Sequence, residues 1–475
     1  MDLSIKIKLM KTINPFLSLF LATAVIIMTL VFSTFYFSES PWDNSVFQSD
    51  SEALVTRKIR SGLSILDDFQ QKGGFLYAEE ENVSTTIPGL YTSQVGLQGL
   101  ILNAFKNIFG LDPTSFIGYS RIMVSLCFAS TMAVILYCVW IEFGIISAIT
   151  NLALIISAFW IVAFSKNLYW AAFTLFLPFA IGWFYYPKVI KSRNKNLSFL
   201  FMIGVLIFFK SLNGYEYITN VILGATIAPI YYELGAGTKK NVIIQRIVMI
   251  CLAGVAGFMA TYGLHFLQLY NFTHDLSKVI YILTERAIVR TLGENPYTTA
   301  CDYSNYFILL LKYMNSQSIF RTAIPLVWMF SFYLICITPL IPFRANKLNS
   351  FIIIFISLIL LIVSIGVDWF AGRPGLGISQ IINLSFGFSF LLYGILSLKT
   401  IKFPIPDKLA YLAYSTTWAL VSSFAWVVLA RNHMACHIHL NPIVFYLPFG
   451  VTLFMFIGYW IDTLSKITAQ KIRLS

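Results

Sequence analysis

The stretch that decides the fold is NPFLSLFLATAVIIMTLVFSTFYF, residues 14–37, which contains no charged side chain. A helix that crosses a bilayer needs about 20 mostly apolar residues, and this stretch satisfies that requirement. Lys6, Lys8 and Lys11 precede it, as basic residues do in a signal peptide, but no small-residue cleavage site clearly follows. We therefore interpret residues 14–37 as a membrane anchor that is not removed.

Similar apolar runs recur along the whole chain. Of its 475 residues 58% are hydrophobic and 11% are charged, whereas soluble domains carry about 25% charged residues. Most of the surface must therefore face lipid, and we predict an all-α polytopic membrane protein of about 12 transmembrane helices (10–13). Besides residues 14–37, the predicted spans are 116–140, 144–164, 169–187, 198–213, 218–234, 247–269, 323–343, 350–370, 381–398, 411–430 and 442–461. Between 198–213 and 218–234, the polar stretch KSLNGYEY could be a re-entrant turn.

The net charge of +12 follows this topology. With the N-terminus in the cytoplasm and alternating spans, the inner segments hold 18 of the 33 Lys and Arg residues and few acids, as the positive-inside rule requires. No nucleic-acid partner is needed, and both termini are predicted to be cytoplasmic. The predicted regions are 1–37 with the first span, 38–115 as an outer loop, 116–269 with spans 2–7, 270–322 as a second outer loop, and 323–475 with spans 8–12.

The first outer loop contains amphipathic stretches and acidic residues. SEALVTRKIRSGLSILDDF (51–69) and LQGLILNAFKNIFG (97–110) have the pattern of helices that lie on a membrane surface. Asp43, Asp50 and Glu52 precede or begin the first of these stretches. A carboxylate there could act as general base on a hydroxyl, or these acids could be solvated charges or part of a helix N-cap.

Polar and basic groups elsewhere on the outer side could bind a ligand. The stretch YTSQVGLQG (91–99) is rich in groups that hydrogen-bond a polyol. Cations at membrane depth are costly and usually face a cavity or an anion, although they also snorkel to headgroups. The outer cations of interest are Arg121, Lys166, Lys210, Arg373 and Arg431, and Glu216 could pair with Lys210.

Several functional classes find no support. The six cysteines form no CxxC pattern, and RNHMACHIHLN (431–441) has no standard zinc spacing. The chain contains no P-loop, GxSxG or HExxH motif, so ATP-driven transport by this chain alone is not expected. No metal site is assigned, and a role for a divalent metal stays open.

The order of these features is similar to a known family. An acidic outer loop with DSEALV (50–55) follows the first helix, and then come surface helices, YTSQVGLQG, Arg121 and SKNLYW (165–170). Over residues 1–220 this order resembles bacterial polytopic glycosyltransferases of the GT-C fold, and particularly phage-type O-antigen glucosyltransferases. The second half of the chain is similar only in general layout.

The resemblance implies a bacterial inner-membrane enzyme with a periplasmic active site. It would move a sugar, such as glucose, from undecaprenyl phosphate to a glycan or lipopolysaccharide O-antigen. Asp50 or Glu52, with Asp43 in reserve, would deprotonate the acceptor. Arg121, Lys166, Lys210 or Arg373 would hold the lipid phosphate. The sugar or acceptor would be bound by Tyr91, Ser93, Gln94, Gln98, Tyr169 and Trp170.

Three alternatives remain open from the sequence. A lipid-linked sugar flippase or transporter would suit twelve spans but usually shows paired repeats, and none is evident here. A polysaccharide polymerase or ligase would also have a large outer loop, although acids directly after the first span favour the GT-C interpretation. For a structural or partner-binding membrane protein no positive feature is found.

Overall fold

The computed structural model describes residues 15–34, 51–78, 87–192, 194–292, 406–437 and 441–474, with short pieces between residues 313 and 333. The predicted spans 350–370 and 381–398, and nearly all of 323–343, lie outside the described residues. The helices are α1 Pro15–Thr34, α2 Glu52–Arg60, α3 Ile65–Lys72, α4 Leu97–Phe109, α5 Pro113–Phe143, α6 Ile145–Ser157, α7 Phe159–Ser165, α8 Phe173–Val189, α9 Asn194–Asn213, α10 Ile218–Gly224, α11 Ile227–Gly235, α12 Lys240–Thr273, α13 Leu276–Leu292, α14 Asp407–Leu429, α15 Arg431–Cys436 and α16 Val451–Leu474. Two short antiparallel strand pairs join β1 Leu76–Tyr77 to β2 Leu90–Tyr91, and β3 Gln317–Ile319 to β4 Ile324–Pro325.

Six helices in the described part of the chain are long and apolar enough to cross a membrane. This confirms a helical membrane protein, while the total number of spans is not tested. The six segments are Pro15–Thr34, Pro113–Phe143, Lys195–Asn213, Lys240–Thr273, Asp407–Leu429 and Pro442–Ile467.

Some predicted spans have different boundaries in the structure. The predicted span 144–164 is divided at Ala158, whose ψ of 106° is extended, so α6 and α7 are separate helices. The predicted span 218–234 is likewise two short helices, α10 and α11, separated by Ala225 and Thr226. An apolar run continues through both breaks, so hydropathy could not reveal them. Conversely, the predicted short span 198–213 is a helix of 20 residues, α9.

Contacts between helix ends define two ends of the bundle. At one end, Lys408 at the start of α14 pairs with Glu142 at the end of α5, and Arg246 near the start of α12 pairs with Glu233 in α11. At the other end, Gln268 near the end of α12 donates to the carbonyl of Gly73 at 2.8 Å. We call this second end the lobe end, because residues 51–110 form a small lobe there, and we call the first the opposite end.

The lobe contains helices over both amphipathic stretches, α2 and α3 over 51–69 and α4 over 97–110, and their position on a membrane surface stays a prediction. Helix α4 ends at Phe109, and its C-cap residue Gly110 has a left-handed φ of 61°. Helix α5 begins at Pro113, a residue type that favours the first helical turn. The side chain of Asp112 caps α5 by accepting from the backbone N–H of Ser115 at 2.9 Å. The lobe therefore adjoins the point at which α5 begins its crossing. Large apolar side chains of the lobe are exposed beside this point, namely Ile65, Leu66, Phe69, Ile101, Phe105, Ile108 and Phe109.

A buried lysine holds the lobe together. The ammonium of Lys58 in α2 donates at 2.7 Å to each of Asp68 and the carbonyls of Gly74 and Phe75. Its three donors are thus all used, and the hydroxyl of Tyr77 donates to the other oxygen of Asp68. Burial lowers the pKa of Lys58 despite the nearby Asp68 carboxylate, and burial raises that of Tyr77. This network fixes α2, and hence Glu52 at its start.

Candidate functional site

Glu52 is the first residue of α2 and one of the most buried charges in the lobe. Its side chain is 1% exposed, because Glu52, Val55, Thr56 and Ile59 share the helix face that packs into the protein. The predicted start of the helix is therefore confirmed, but Ser51 at the N-cap position makes no capping hydrogen bond with its side chain.

Arg121 in α5 neutralises Glu52. Its Nε donates to Oε1 of Glu52 at 3.1 Å and its Nη2 donates to Oε2 at 2.9 Å, which is the bidentate geometry of a strong ion pair. The backbone N–H of Leu168 donates to Oε1 at 3.1 Å. Since three N–H groups already occupy this carboxylate, accepting a proton would weaken those bonds. The arrangement therefore indicates that Glu52 positions Arg121 and does not act as the base.

Lys166 completes a charged cluster, which we define as Glu52, Arg121 and Lys166. Its ammonium lies 3.4 Å from the carbonyl of Ser33 at the end of α1. Burial and then the positive charge of Arg121 lower the pKa of Lys166 to about 8, while Glu52 acts in the opposite direction. Among the described residues the cluster thus contains two cations and one carboxylate, and Lys and Arg are the residue types that bind an anion such as phosphate.

The turn that follows α7 directs its residues towards two different surroundings. Oδ1 of Asn167 accepts from the backbone N–H groups of Tyr169 and Trp170 at 3.0 and 3.2 Å, which fixes the turn locally. Ala171 has a left-handed φ of 42°, a strained conformation for a residue other than glycine. Within this turn Lys166 and the N–H of Leu168 belong to the charged cluster, whereas Tyr169 points elsewhere.

Tyr169 belongs to a second group, which we call the hydroxyl–amide cluster and define as Tyr91, Gln94, Tyr169 and Glu216. The Tyr169 hydroxyl lies 3.0 Å from Oε1 of Gln94, 3.1 Å from Oε1 of Glu216 and 3.3 Å from the hydroxyl of Tyr91. Gln94 is fully buried, Tyr169 and Glu216 are each 3% exposed, and Tyr91 is partly exposed. The cluster thus joins three segments that are distant in sequence.

One side-chain atom of this cluster, in Gln94, is unsatisfied among the described residues. The Nε2 atom of Gln94 is buried and has no partner among the described residues. The two ends of an amide are assigned from the hydrogen bonds that they make. If Oε1 and Nε2 of Gln94 were exchanged, Nε2 would lie beside the Tyr169 hydroxyl, and the buried oxygen would be the atom without a partner among the described residues. Leaving such a group unsatisfied costs about 1–3 kcal/mol, and native proteins rarely do so without a reason.

Lys210 and Gln98 have roles in the framework around this cluster. Lys210 donates to the carbonyls of Gly214 and Glu216, the second at 2.7 Å, and so stabilises the turn after α9. Gln98 donates to the carbonyls of Tyr169 and Asn213 at 3.1 and 2.8 Å. Lys210 was predicted as a phosphate ligand and Gln98 as a sugar or acceptor ligand, and the structure places both beside the hydroxyl–amide cluster.

The aromatic residues expected to stack on a ligand lie next to the same cluster. Trp170 stacks on Tyr217 with 5.3 Å between ring centroids, and its buried Nε1 has no partner among the described residues. Tyr217 has a left-handed φ of 61°. Ser93 is buried, at 5% exposed. Thus all the residues predicted to bind sugar or acceptor lie in one region of the lobe end.

The glycines of YTSQVGLQG serve packing and turns. A Cβ on Gly99 would lie 2.4 Å from Leu76 and 2.9 Å from the Lys58 side chain, so α4 can approach α2 only without a side chain there. Gly96 precedes α4 with a left-handed φ of 76°. The polyol-binding interpretation of this stretch therefore depends on Tyr91 and Gln94, and not on these glycines.

Some predicted site residues are not described. Asp43, Asp50 and Arg373 lie outside the described residues. Arg431 begins the short helix α15, where the rings of His433 and His437 are 4.6 Å apart. Within the described ranges, no group of three or more His, Cys, Asp or Glu side chains could hold a metal ion.

Sequence reasoning missed one feature of the site, the carboxylate of Glu216. It was interpreted as a partner for Lys210, but Lys210 bonds the main-chain carbonyl of Glu216, and the carboxylate faces Tyr169 and Gln94. Only tertiary structure brings Gln94, Tyr169 and Glu216 together, so no local sequence signal could reveal this. Comparison with known proteins adds no assignment, since no family model, curated protein or solved structure matches the chain.

Proposed function

We propose that the protein is a membrane glycosyltransferase that moves a sugar, such as a hexose, from a polyprenyl phosphate to an acceptor hydroxyl on the outer side of a bacterial inner membrane. One observation carries this proposal. The turn 166–169 contributes Lys166 and the Leu168 N–H to the charged cluster and Tyr169 to the hydroxyl–amide cluster. A phosphate site and a hydroxyl-binding site therefore adjoin, as the two parts of a phosphate-linked sugar require.

The proposed donor also suits the position of these clusters. Both lie at the lobe end, beside the exposed apolar side chains of α3 and α4 and the start of α5. A polyprenyl chain is held in the bilayer, so its phosphate would reach the protein at the membrane surface. Undecaprenyl phosphate has this chemistry, and an O-antigen or another envelope glycan would supply the acceptor hydroxyl.

The proposed transfer is a single displacement. A carboxylate takes the proton from the acceptor O–H, and the acceptor oxygen forms a bond to the anomeric carbon. The bond between that carbon and the phosphate oxygen breaks, and the polyprenyl phosphate leaves with the electron pair. Arg121 and Lys166 stabilise the negative charge that develops on the phosphate, while binding of both reactants supplies proximity.

We assign the base to Asp50 and the positioning of Arg121 to Glu52. Glu52 is already bonded to three N–H groups, two of them from the guanidinium of Arg121, so we assign it to holding that guanidinium. Asp50 lies two residues before it in DSEALV, with Asp43 as the reserve. General-base catalysis contributes about 10²–10⁴-fold to a rate.

The test is sugar transfer from a polyprenyl phosphate donor in membranes that contain equal amounts of each variant. Asp50→Asn should lower the transfer rate about 10²–10⁴-fold while leaving donor binding intact. Glu52→Gln should weaken donor binding as well, because Arg121 loses its anchor. Asp67→Asn, which changes an exposed acid of the same lobe, is the matched control.

Normal transfer by both Asp50→Asn and Glu52→Gln would contradict the outer-loop base. Accumulation of unchanged donor on the other side of the membrane, without cleavage of its sugar–phosphate bond, would instead identify a flippase or transporter. Linkage of acceptor units or whole glycan chains without use of a monosaccharide donor would identify a polymerase or ligase.

A further inference from the structure

Three lysines lie on the helical hairpin that α8 and α9 form at the opposite end. Lys188 lies in the last turn of α8, Lys191 in the connection and Lys195 in the first turn of α9. All three side chains are exposed. Tyr186, two residues before Lys188, donates to Glu233 at 2.7 Å, which places the hairpin at the opposite end. We call the three lysines the basic hairpin.

Aromatic packing brings the two sides of the basic hairpin together. The ring of Tyr185 in α8 stacks on that of Phe199 in α9, with 6.3 Å between their centroids. The ammonium of Lys188 lies 5.6 Å from the centroid of the Tyr185 ring. Lys195 precedes Phe199 by four residues, so the two share a face of α9. The lysines of both helices therefore adjoin one aromatic stack.

Acidic side chains among the described residues do not neutralise the basic hairpin. The sequence has no acidic residue between Glu142 and Glu216. At the opposite end Glu142 pairs with Lys408, and Glu233 pairs with Arg246. The ion pairs in the described part of the chain include no member of the basic hairpin. The hairpin is therefore a patch of exposed positive charge.

This charge lies at the point where a candidate span begins. The apolar segment of α9 that could cross a membrane starts at Lys195. Exposed apolar side chains lie within two turns of the lysines, since Phe184 in α8 is 41% exposed and Leu197 and Phe201 in α9 are 74% and 72% exposed. The ammonium of Lys188 lies 4.6 Å from the centroid of the Phe184 ring. The surface thus combines cations with apolar groups, as a lysine stem along a membrane boundary does.

We propose that the basic hairpin binds the headgroup phosphate of an acidic phospholipid in the leaflet at the opposite end, and that the acyl chains contact Phe184, Leu197 and Phe201. Lysine ammonium groups bind phosphate. Basic residues next to a span attract anionic lipids, and each cation near the surface contributes about fivefold in affinity. The site is independent of the proposed function, because the charged cluster and the hydroxyl–amide cluster lie at the lobe end.

The test places the full-length protein in nanodiscs of equal parts phosphatidylglycerol and phosphatidylcholine and identifies the lipids that stay bound by native mass spectrometry. Phosphatidylglycerol carries a net negative charge and phosphatidylcholine carries none. The wild type should retain phosphatidylglycerol with a preference of about tenfold or more. The triple variant Lys188→Gln, Lys191→Gln, Lys195→Gln should lose this preference. Arginine at the same three positions should keep it, because arginine stays positively charged.

A matched control removes three other exposed lysines. Lys239→Gln, Lys240→Gln and Lys278→Gln together change the net charge by the same amount, and this variant should retain the preference. Thermal unfolding of each variant confirms that the protein is folded. An equal loss of preference in the two glutamine variants would assign the effect to net charge and contradict the site. Equal retention of the two lipids by the wild type, or an unchanged preference without the basic hairpin, would also contradict it.

Discussion

Two buried carboxylates at the lobe end have opposite surroundings. Glu52 accepts from the guanidinium of Arg121 and the N–H of Leu168, with Lys166 nearby. Glu216 instead faces the hydroxyl of Tyr169 beside the amide of Gln94. The first cluster contains two cations and one carboxylate among the described residues, and in the second the Nε2 atom of Gln94 has no partner among those residues. An anion fits the first and a hydroxyl-bearing group fits the second.

A third buried carboxylate shows what a purely structural pair looks like. Glu233 at the opposite end pairs with Arg246 and accepts from the hydroxyls of Tyr186 and Thr238, at 2.7 and 2.6 Å. Both of its oxygen atoms have protein partners, and it joins α8, α11 and α12. The hydroxyl–amide cluster differs because the Nε2 atom of Gln94 has no partner in the part of the chain that the structure describes, and this difference is the reason to expect a ligand there.

The largest effect is expected from Arg121→Ala. The change leaves the buried carboxylate of Glu52 without its guanidinium, which should lower the free energy of unfolding by about 3–5 kcal/mol. Donor binding should fall with it. Thermal unfolding in detergent and donor affinity measure the two effects.

A double variant separates these effects. Glu52→Leu combined with Arg121→Leu removes both charges, so it should recover most of the stability but not the affinity for a prenyl phosphate. Recovery of binding in the double variant would show that Arg121 serves the fold alone.

The second prediction disrupts only the other cluster. A Cβ at Gly214 would displace Glu216 and Gln94, since it would lie within 2.6 Å of an oxygen atom of each. Gly214→Ala should cost about 1–3 kcal/mol of stability and abolish the preference for a sugar-linked over a bare prenyl phosphate that a hydroxyl-binding site would confer. Gly110→Ala changes a glycine with open space around its α-carbon and serves as the control. Undiminished sugar preference in Gly214→Ala would argue against the hydroxyl–amide cluster as a binding site.

The third prediction concerns pH and sharpens the role of the charged cluster. The pKa of Lys166 is lowered to about 8, so its ammonium is mostly charged at pH 7 and mostly neutral at pH 9. Affinity for a sugar-linked prenyl phosphodiester, whose own charge is constant in this range, should fall by up to about tenfold between these values. A bound anion favours the charged form and moves the loss to higher pH.

Lys166→Arg provides the matched comparison for this pH dependence. Arginine stays protonated throughout, so affinity in this variant should be flat between pH 7 and pH 9. An equally steep loss in the wild type and in Lys166→Arg would assign the titration to another group.

The smallest effect on stability is expected from Gln94→Leu. The substitution removes one hydrogen bond with Tyr169 but also removes a buried polar atom that has no partner among the described residues. These contributions largely offset each other, to within about 1 kcal/mol. Thermal unfolding should therefore change little, although the sugar preference should be lost. A large drop in stability would show that Gln94 is structural and is fully bonded in the free protein.

The sequence was informative where one local property decides the structure. Apolar runs predicted α1, α5, α12 and α14, and amphipathic patterns predicted the helices of the lobe. It was less informative for chain breaks, since Ala158 and Ala225 lie inside continuous apolar runs. Helix α12 also continues to Thr273, past the predicted end of this span at residue 269.

For the site, the sequence identified residues but not their partners. The cost of charge near a membrane pointed to Arg121 and Lys166, and the DSEALV stretch pointed to Glu52 as a candidate base; the structure brings the three together. Lys210 was chosen for the same reason, yet it stabilises a turn. The Glu216 carboxylate was not chosen for binding, because its contacts with Gln94 and Tyr169 arise only when three distant segments pack.

The most direct test of the two-cluster account is a cryo-electron microscopy structure of the full-length protein in nanodiscs with a non-cleavable prenyl phosphosugar. The account predicts the phosphate within hydrogen-bonding distance of Arg121 and Lys166, and a sugar hydroxyl within that distance of a residue of the hydroxyl–amide cluster. A prenyl phosphate bound at the opposite end beside Arg246 or Lys408, or a sugar turned away from the hydroxyl–amide cluster, would contradict it.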